Sequence, residues 1–378
     1  MRELVRAVIF GLGVCAYCGP SAWAGVAAGF YRVGDLPGGN VASYGYGVSA
    51  DGTVVTGFSV SATGNEAFRW TLGSGIQGLG DFPGGNLASY GYGVSGDGAT
   101  IVGIGGGANY DEGFRYTVAG GLQHLSSPPV ATEAAAVSYD GSVIVGDAAY
   151  GTVYRAARWV NGVFQFIGPV PAGNYSGSSA ASVSGDGSVA AGTVAVNGTA
   201  LAMRWTEQTG VQTLGVVAGD YRSAAYGISR DGRVIVGDSL PFGGGEVHAF
   251  RWTASGGVQA LGDLPGGTVS SIAWATNPDG SIVVGQSQGA NLENAFIWTE
   301  STGMITLRSY LQANGVIVPD TMRLSACHAI SDDGLTFVGF GVNADTDTVE
   351  GFVAVIPSPG GVIVMGLAGM VAGLRRSR

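Results

Sequence analysis

The strongest constraint on the fold of this chain is a short motif that occurs seven times. It consists of a serine or asparagine, one variable residue and then Asp-Gly, with a further glycine five residues later. Successive copies follow after 43 residues (Asp97 to Asp140) to 54 residues (Asp279 to Asp333). A period of this size predicts a repeat architecture in which each copy is one supersecondary unit. The seven aspartates are Asp51, Asp97, Asp140, Asp186, Asp231, Asp279 and Asp333.

Each copy carries further strand signals around the motif. An apolar run such as residues 53–57 follows the Asp-Gly, and a later run ends in an aromatic residue, as in Phe68-Arg69-Trp70. Asp-Gly between apolar runs predicts a hairpin, because glycine accepts the positive φ that such turns require. A third run such as residues 75–80 and a Pro-Gly-Gly loop lead to the strand before the next Asp-Gly. We therefore expect four short strands in every copy.

The composition agrees with a fold of many short strands. The chain has 378 residues, of which 69 are glycine, and these glycines lack the three-residue period of collagen. Because charged residues make up only 12% and apolar residues 46%, a disordered chain is excluded. Four strands repeated seven times predict an all-β fold, a seven-bladed β-propeller of four-stranded blades over residues 25–357.

The phase of the first and last copies predicts that the array is closed. The first copy begins at residues 30–39 without the aromatic-ending strand, whereas the last copy ends with that strand at residues 351–356. One blade would then be shared between the two ends of the array, which leaves no free sheet edge. The alternative is an open solenoid, which would need capping repeats.

Residues 248–267 contain the repeat in its fullest form, from His248-Ala249-Phe250 to the Gly-Asp-x-Pro pattern that begins at Gly262. This stretch resembles the HAF-family extracellular repeat, which is named after that tripeptide. The resemblance covers nearly the whole chain between the terminal segments, although residues 126–129 and 168–171 depart from Gly-Asp-x-Pro. It implies an exported repeat protein, and the family has no settled biochemical activity to transfer.

Residues 1–24 have the pattern of a secretory signal peptide. Arg2 and Arg6 precede an apolar run at residues 7–17, and residues 22–24 provide an Ala-x-Ala cleavage site. We expect cleavage after Ala24 and export of the mature chain. The alternative is an uncleaved membrane anchor.

Residues 358–378 form a predicted C-terminal membrane or sorting segment. Pro357-Ser358-Pro359 precedes an apolar, uncharged stretch at residues 360–374, predicted to be a helix, and an arginine cluster at residues 375–378 closes the chain. The arrangement resembles the PEP-CTERM signal of bacterial surface proteins, with Pro-Ser-Pro in place of Pro-Glu-Pro. The resemblance implies a sorting transpeptidase of the exosortase type as a partner, whereas the alternative is a permanent tail anchor.

Charge and residue usage exclude several classes of function. A net charge of −10 and a pI near 4.7 argue against a nucleic-acid partner, which would require a basic patch. Cys327 is the single cysteine of the repeat array, and the three histidines fall at different places in their copies. We therefore predict no metal centre, no catalytic residues and no cofactor. One aspartate per turn is too few for calcium, so we assign the seven aspartates a structural role.

An arginine recurs in the strand that ends in an aromatic residue. We predict that these arginines form salt bridges with repeat aspartates such as Asp81 or Asp263. The alternative is a ring of arginines that binds an anion, which Ile297 and Val353 would interrupt. The recurring arginines are Arg69, Arg115, Arg158, Arg204 and Arg251.

The position three residues before each serine or asparagine of the motif varies between copies. Equivalent positions of a propeller form a ring, and this ring is aromatic on one arc and small, with Ala135 and Ala181, on the other. An aromatic arc suits stacking against a sugar or another planar ligand, and the alternative is packing between neighbouring blades. The candidate ligand-binding residues are Tyr46, Tyr92, Tyr226, Trp274 and His328.

These observations favour a non-catalytic, secreted or cell-surface protein that binds an extracellular polysaccharide or another surface protein. One alternative is an extracellular propeller lyase or hydrolase that acts on polysaccharide, and another is a purely structural envelope component. The enzyme hypothesis predicts carboxylates or histidines gathered at one end of the central channel, where they can transfer protons. We expect membrane contact only through the terminal segments.

Overall fold

A computed structural model describes residues 26–85, 88–125, 129–169, 175–289 and 294–358 of the chain. Within these ranges the chain is almost entirely β-strand, with one short helix. The predicted signal peptide and the C-terminal segment after Ser358, including its apolar helix, lie outside the described residues. In the part that is described, no helix has the length and hydropathy needed to cross a membrane.

The strands follow one another in groups that match the copies of the motif, and in each group one strand leads directly into the Asp-Gly turn. The first groups are β1 (Gly29–Arg32), β2 (Gly38–Val48), β3 (Val55–Ser61), β4 (Gly64–Thr71), β5 (Gly75–Gly78), β6 (Tyr90–Val94), β7 (Thr100–Gly106), β8 (Asp111–Thr117), β9 (Gly121–His124), β10 (Thr132–Val137), β11 (Val143–Tyr150), β12 (Val153–Val160) and β13 (Val163–Phe166). The later groups are β14 (Tyr175–Val183), β15 (Val189–Val196), β16 (Thr199–Thr206), β17 (Gly210–Gly215), β18 (Arg222–Ile228), β19 (Val234–Leu240), β20 (His248–Thr253), β21 (Gly257–Ala260), β22 (Ser271–Thr276), β23 (Ile282–Ser287), β24 (Ala295–Thr299), β25 (Gly303–Thr306), helix α1 (Leu307–Ala313), β26 (Met322–Ile330), β27 (Thr336–Asn343) and β28 (Thr348–Val355).

Five sheets contain four strands each in chain order: β6–β9, β10–β13, β14–β17, β18–β21 and β22–β25. A further sheet of eight strands consists of two such groups, β2–β5 and β26–β28 with β1. A single parallel pair, Ala42 opposite Val349, joins these two groups. Within every group neighbouring strands are antiparallel. The prediction of an all-β fold is confirmed.

Strand β1 pairs with β28, the last strand described. The antiparallel register runs from Gly29 opposite Val355 to Arg32 opposite Phe352. The rings of Phe30 and Phe352 stack with their centroids 5.7 Å apart. Strands from the two ends of the described chain therefore share one sheet.

The first strands of neighbouring groups contact one another around a closed circuit. Strand β2 contacts β6, and the contacts continue through β10, β14, β18 and β22 to β26, which itself contacts β2. These strands form the inner layer of the molecule, so residues at equivalent positions on them face a common centre.

The hydrophobic core lies between neighbouring groups of strands. In one cluster, Phe68 and Trp70 of β4 pack with Val338 of β27 and Val353 of β28. Full burial of a large apolar side chain contributes about 1.5–3 kcal/mol. The aromatic-ending strand recurs in each copy, and its fully buried members include Phe68, Phe114, Phe250, Phe296 and Phe352.

Helix α1 lies in the longest interval between two copies of the motif, and it was not predicted from the sequence. The Thr306 hydroxyl caps it by accepting a hydrogen bond from the Ser309 amide at 3.2 Å. Leu307 and Leu311, one helical turn apart, are completely buried against the neighbouring strands. The extra residues of this copy are thus accommodated as a helix on the core.

The Asp-Gly turns share one construction. The buried Ser184 hydroxyl donates to Asp186 Oδ1 at 2.7 Å and accepts a hydrogen bond from the Val189 amide at 3.0 Å. Asp186 Oδ1 also accepts from the Ser188 amide at 3.0 Å. Gly187 has a φ of 74°, a left-handed value that favours glycine, and its counterparts in the other turns have φ of 70–74°. The repeated aspartates organise the turns through short-range hydrogen bonds.

Candidate functional site

A glycine in the second strand of each copy lets the first strand approach closely. A Cβ atom on Gly57 would lie 1.8 Å from the carbonyl oxygen of Tyr44. Only hydrogen fits at that distance, so glycine is required. These glycines are the ones that follow the Asp-Gly by five residues, and each would place a Cβ 1.8–2.1 Å from a first-strand carbonyl oxygen: Gly57, Gly103, Gly146, Gly192, Gly237, Gly285 and Gly339.

Next to this close approach, the first strand of every copy has a β-bulge. The register of β2 against β3 shifts between Gly45 and Gly47, so Tyr46 is an extra residue without a direct partner. A bulge of this kind changes the direction in which a side chain points. The seven bulged residues are the members of the predicted ring: Tyr46, Tyr92, Ala135, Ala181, Tyr226, Trp274 and His328.

Five of the bulged residues form a continuous series of ring contacts, which we name the aromatic arc: Tyr92, Tyr46, His328, Trp274 and Tyr226. In this order, successive ring centroids are 6.1, 5.0, 5.1 and 4.7 Å apart. All five side chains are half-buried. The structure thus brings together every residue that the sequence suggested for ligand binding, and their role in binding stays a prediction.

The ring surrounds a pocket of about 260 Å³, the channel pocket. Of the bulged residues all except Tyr46 line it, and Tyr46 packs between Tyr92 and His328. On the opposite side Ala135 and Ala181 leave space that larger side chains would fill. The volume is near the lower limit of about 300 Å³ for small-molecule pockets, so the pocket suits one sugar residue or a chain end.

Burial keeps the tyrosines of the arc protonated. It raises the pKa of Tyr46 to about 12 and, together with Glu133, raises that of Tyr92. Burial and the neighbouring Asp238 carboxyl likewise raise the pKa of Tyr226. These side chains therefore offer aromatic faces and O–H donors rather than bases.

His328 is uncharged at neutral pH. Burial lowers its pKa to about 4, although a hydrogen bond with the Gly45 carbonyl acts in the opposite direction. Its Nδ1 lies 3.3 Å from the Gly45 oxygen, and because a carbonyl oxygen only accepts, Nδ1 carries the proton. Nε2 is then left as an acceptor.

A second ring at the turn end of the channel pocket was missed by the sequence analysis. It consists of the variable residue of each motif copy, and comparison of that position between copies would have revealed it. The Asp332 amide donates to the Ala50 carbonyl at 3.0 Å, and similar bonds of 2.8–3.0 Å join consecutive members from Ala50 to Arg230. Pro278 has no N–H and interrupts the series. This turn ring, which lines the pocket, contains Ala50, Gly96, Tyr139, Gly185, Arg230, Pro278 and Asp332.

Comparison with known proteins finds similarity in fold. No family model and no curated protein matches the sequence. An oligogalacturonate lyase in complex with manganese is 13% identical with a TM-score of 0.55, over 89% of this chain and 95% of the other. An oligogalacturonate lyase from Vibrio parahaemolyticus is 13% identical with a TM-score of 0.57, over 88% of this chain and 98% of the other. The fold is of the β-propeller type.

A further structure, TolB from Acinetobacter baumannii, is 13% identical with a TM-score of 0.45 over 84% of this chain. This chain spans 64% of the length of that protein. At 13% identity, the likeness to the two oligogalacturonate lyases concerns the fold alone.

A second cavity of the propeller, about 540 Å³, lies between the groups β6–β9 and β10–β13, and we name it the acidic cavity. Asp111, Glu133 and Asp147 line it. Burial and Asp111 raise the pKa of Glu133, and burial and Glu133 raise the pKa of Asp147 to about 7. Across the described ranges, no group of His, Cys, Asp or Glu could hold a metal ion. These three carboxyl groups belong to two neighbouring groups of strands rather than to all the groups around the ring.

The predicted salt bridges between the repeated arginines and Asp81 or Asp263 are wrong for the described residues. Asp81 accepts hydrogen bonds from two backbone amides at 2.8 Å, and Asp263 Oδ1 is buried without a partner. Arg158 reaches the next copy of the repeat, where it pairs with Glu207 at 3.3 Å and lies over the Trp205 ring. Asp81 thus closes its own loop, whereas Arg158 contacts the neighbouring sheet.

Proposed function

We propose that this protein is an exported, non-catalytic binding protein that holds a sugar in the channel pocket. The aromatic arc is the observation that carries the proposal. Its rings follow one another along one side of a recessed pocket and suit the apolar faces of sugar rings. The space beside Ala135 and Ala181 is where the ligand would lie.

The shape of the site favours a sugar over a second protein. A stable protein interface buries about 800 Å² on each partner. Four of the five residues of the aromatic arc line a pocket of about 260 Å³, and all five are half-buried, so a flat protein surface would not reach most of them. A sugar residue or the end of a polysaccharide would.

A glycan-binding measurement on the full chain, purified in its exported form, tests this function. We expect saturable binding of at least one oligosaccharide and a loss of at least about ten-fold in affinity for Trp274→Ala, because an aromatic stacking residue at a pocket is a typical hot spot. Phe242→Ala is the matched control, since Phe242 is 81% exposed and does not line the pocket. No saturable binding, or equal effects of both substitutions, would favour a structural envelope component.

We further infer that the chain is exported and sorted as an HAF-type surface protein. The supporting features are the signal-peptide pattern of residues 1–24 and the PEP-CTERM-like residues 358–378. Mass spectrometry of the protein recovered from the cell surface should find an N-terminus at Gly25 and no apolar C-terminal stretch. A chain that extends to Arg378 would contradict sorting by a transpeptidase.

We also infer that the propeller has seven four-stranded blades, the last of which is shared between the two ends of the array. The pairing of β1 with β28, the circuit of contacts between first strands and the Asp332–Ala50 hydrogen bond support this closure. An experimental structure of the mature chain tests it. A gap between the groups that begin with β2 and β26 would contradict it.

The acidic cavity supports a second candidate function, a lyase or hydrolase that acts on polysaccharide. A carboxyl group with a pKa of about 7, as for Asp147, is suited to general acid–base catalysis. Incubation of the full chain with uronate and neutral polysaccharides, followed by assays for unsaturated products and new reducing ends, tests this candidate. We expect neither product. Product formation that is lost in Asp147→Asn would replace the binding proposal.

A further inference from the structure

One ion pair of the turn ring spans the end of the channel pocket. Arg230 Nη1 donates to Asp332 Oδ2 at 2.6 Å. The two residues belong to motif copies that are not neighbours, because Pro278 occupies the copy between them. Since Pro278 cannot donate a backbone hydrogen bond to Asp332, the ion pair joins the ring at the point where the backbone series is interrupted.

Tyr139 holds the same guanidinium from another side. Arg230 Cζ lies 3.6 Å from the centroid of the Tyr139 ring, a cation–π contact. The side chains of Arg230 and Asp332 are 43% and 32% exposed, so a ligand that enters the pocket can reach both. The guanidinium is therefore fixed in position and accessible.

Arg230 supplies the positive charge of the channel pocket. It is the single arginine among the described residues that line the pocket, and the sequence contains no lysine. His328 adds no charge, because burial lowers its pKa to about 4. The bond to Asp332 is the one hydrogen bond that the guanidinium makes to described residues. Arginine has five N–H donors and can bind a carboxylate with two of them.

We propose that the channel pocket binds a carboxylate-bearing sugar, such as a uronic acid residue, whose carboxylate replaces Asp332 on Arg230. This inference rests on the proposed sugar-binding function and adds the chemical class of its ligand. The aromatic arc stacks against the sugar ring, while Arg230 selects for the charge. Exchange of one carboxylate for another keeps Arg230 neutralised, and Asp332 then turns toward solvent.

The surroundings of Asp332 support its role as a carboxylate that competes with the ligand for Arg230. Burial raises the pKa of Asp332, although Arg230 acts in the opposite direction. Its carboxylate is therefore poorly solvated where it stands, and its release toward water offsets part of the cost of the exchange. A neutral sugar would gain nothing from the exchange.

A pair of matched oligosaccharides tests the inference on the full chain in its exported form. A β-1,4-glucuronan hexamer and cellohexaose differ only in the C6 carboxylates, and isothermal titration calorimetry at low salt gives the affinity for each. We expect the glucuronan to bind at least about ten-fold more tightly, with the preference falling as salt is added, because salt screens partly exposed charges.

Two substitutions remove the opposite charges of the ion pair. Arg230→Gln should lower the affinity for glucuronan about ten-fold and leave that for cellohexaose within about two-fold. Asp332→Asn should raise the affinity for glucuronan about three- to ten-fold, because the competing carboxylate is gone. Arg233→Gln is the matched control, since Arg233 is 85% exposed near the same turn and does not line the pocket.

The opposite signs separate ligand selection from a structural role. If the ion pair merely stabilised the turn ring, both substitutions would weaken binding of both oligosaccharides. That result, or equal affinity of the unaltered protein for the two oligosaccharides, would overturn the inference and leave sugar binding standing. Absence of binding to either hexamer and to the whole glycan panel would overturn the proposed function as well.

Discussion

A Cβ atom on Gly237 would lie 1.9 Å from the carbonyl oxygen of Ala224, and the bulged residue Tyr226 follows on the same strand as that oxygen. The close approach of the two strands and the bulge occur side by side in every copy. The most regular glycine of the sequence and the most variable pocket residue are thus parts of one backbone arrangement. The glycine keeps the backbone arrangement the same in every copy, while the identity of the bulged residue differs between copies.

Gly237→Ala should destabilise the protein strongly, because the added methyl group would contact a backbone oxygen that cannot move aside. We expect the free energy of unfolding to fall by about 3 kcal/mol, as for overpacking of a core, and thermal unfolding measured by circular dichroism to shift accordingly. Gly73→Ala is the control, since a Cβ there would meet nothing within 4 Å. Equal melting temperatures for the two variants would contradict the close approach.

The sequence was sufficient to predict the strands, the Asp-Gly turns and the ring position, because these features repeat. It was not sufficient to predict the bulge, since one extra residue in a strand leaves no pattern in a motif of fixed spacing. Helix α1 was missed because it occurs in one copy and its buried leucines also suit a strand. The Arg230–Asp332 pair joins two copies that differ at the variable position, so no repeat could indicate it.

Ser184→Ala should lower the free energy of unfolding by about 1–3 kcal/mol, because it leaves the buried Val189 amide without its acceptor. Chemical denaturation monitored by tryptophan fluorescence measures the change. Ser188→Ala is the control, since Ser188 is exposed and also donates to Asp186. Its effect should stay within about 0.5 kcal/mol.

The variant Ser184→Ala should also change the pKa of Asp186. Hydrogen bonds from the Ser184 hydroxyl and the Ser188 amide hold the pKa of Asp186 below its usual value. A depressed pKa in the folded state gives a stabilisation that is present above the unfolded-state pKa and is lost as the pH falls through the folded-state pKa. An NMR titration should therefore find a higher pKa for Asp186 in Ser184→Ala. An unchanged pKa would mean that the hydroxyl does not support the carboxylate.

Asp147 should make the protein less stable as the pH rises. Its pKa is raised to about 7 by burial and by Glu133, so its contribution to stability is complete below the unfolded-state pKa near 3.9 and is lost as the pH rises through about 7. Asp147→Asn should remove this dependence and raise the free energy of unfolding at pH 8 by about 1–3 kcal/mol. At pH 4 the variant and the unaltered protein should be similar.

Denaturation at a series of pH values measures this difference, with the exposed Asp320→Asn as the control for loss of one negative charge. The control should not change the slope between pH 5 and pH 8. If Asp147→Asn has no effect on that slope either, the carboxyl group is solvated and the acidic cavity is not a site of shifted proton affinity.

Removal of β1 should open the sheet that joins the two ends of the described chain. Without residues 29–32, β28 keeps β27 but loses β1, one of its two antiparallel partners, and Phe352 loses the stacked ring of Phe30. We expect a loss of stability on the order of 3 kcal/mol from the apolar surface that becomes exposed, and association of molecules through the unpaired edge. Thermal unfolding and light scattering of a chain that starts at Val33 measure both effects. A chain that starts at Gly29 is the matched control, because it keeps the strand and lacks only the residues before it. Equal stability of the two chains would show that the β1–β28 pairing does not hold the ring closed.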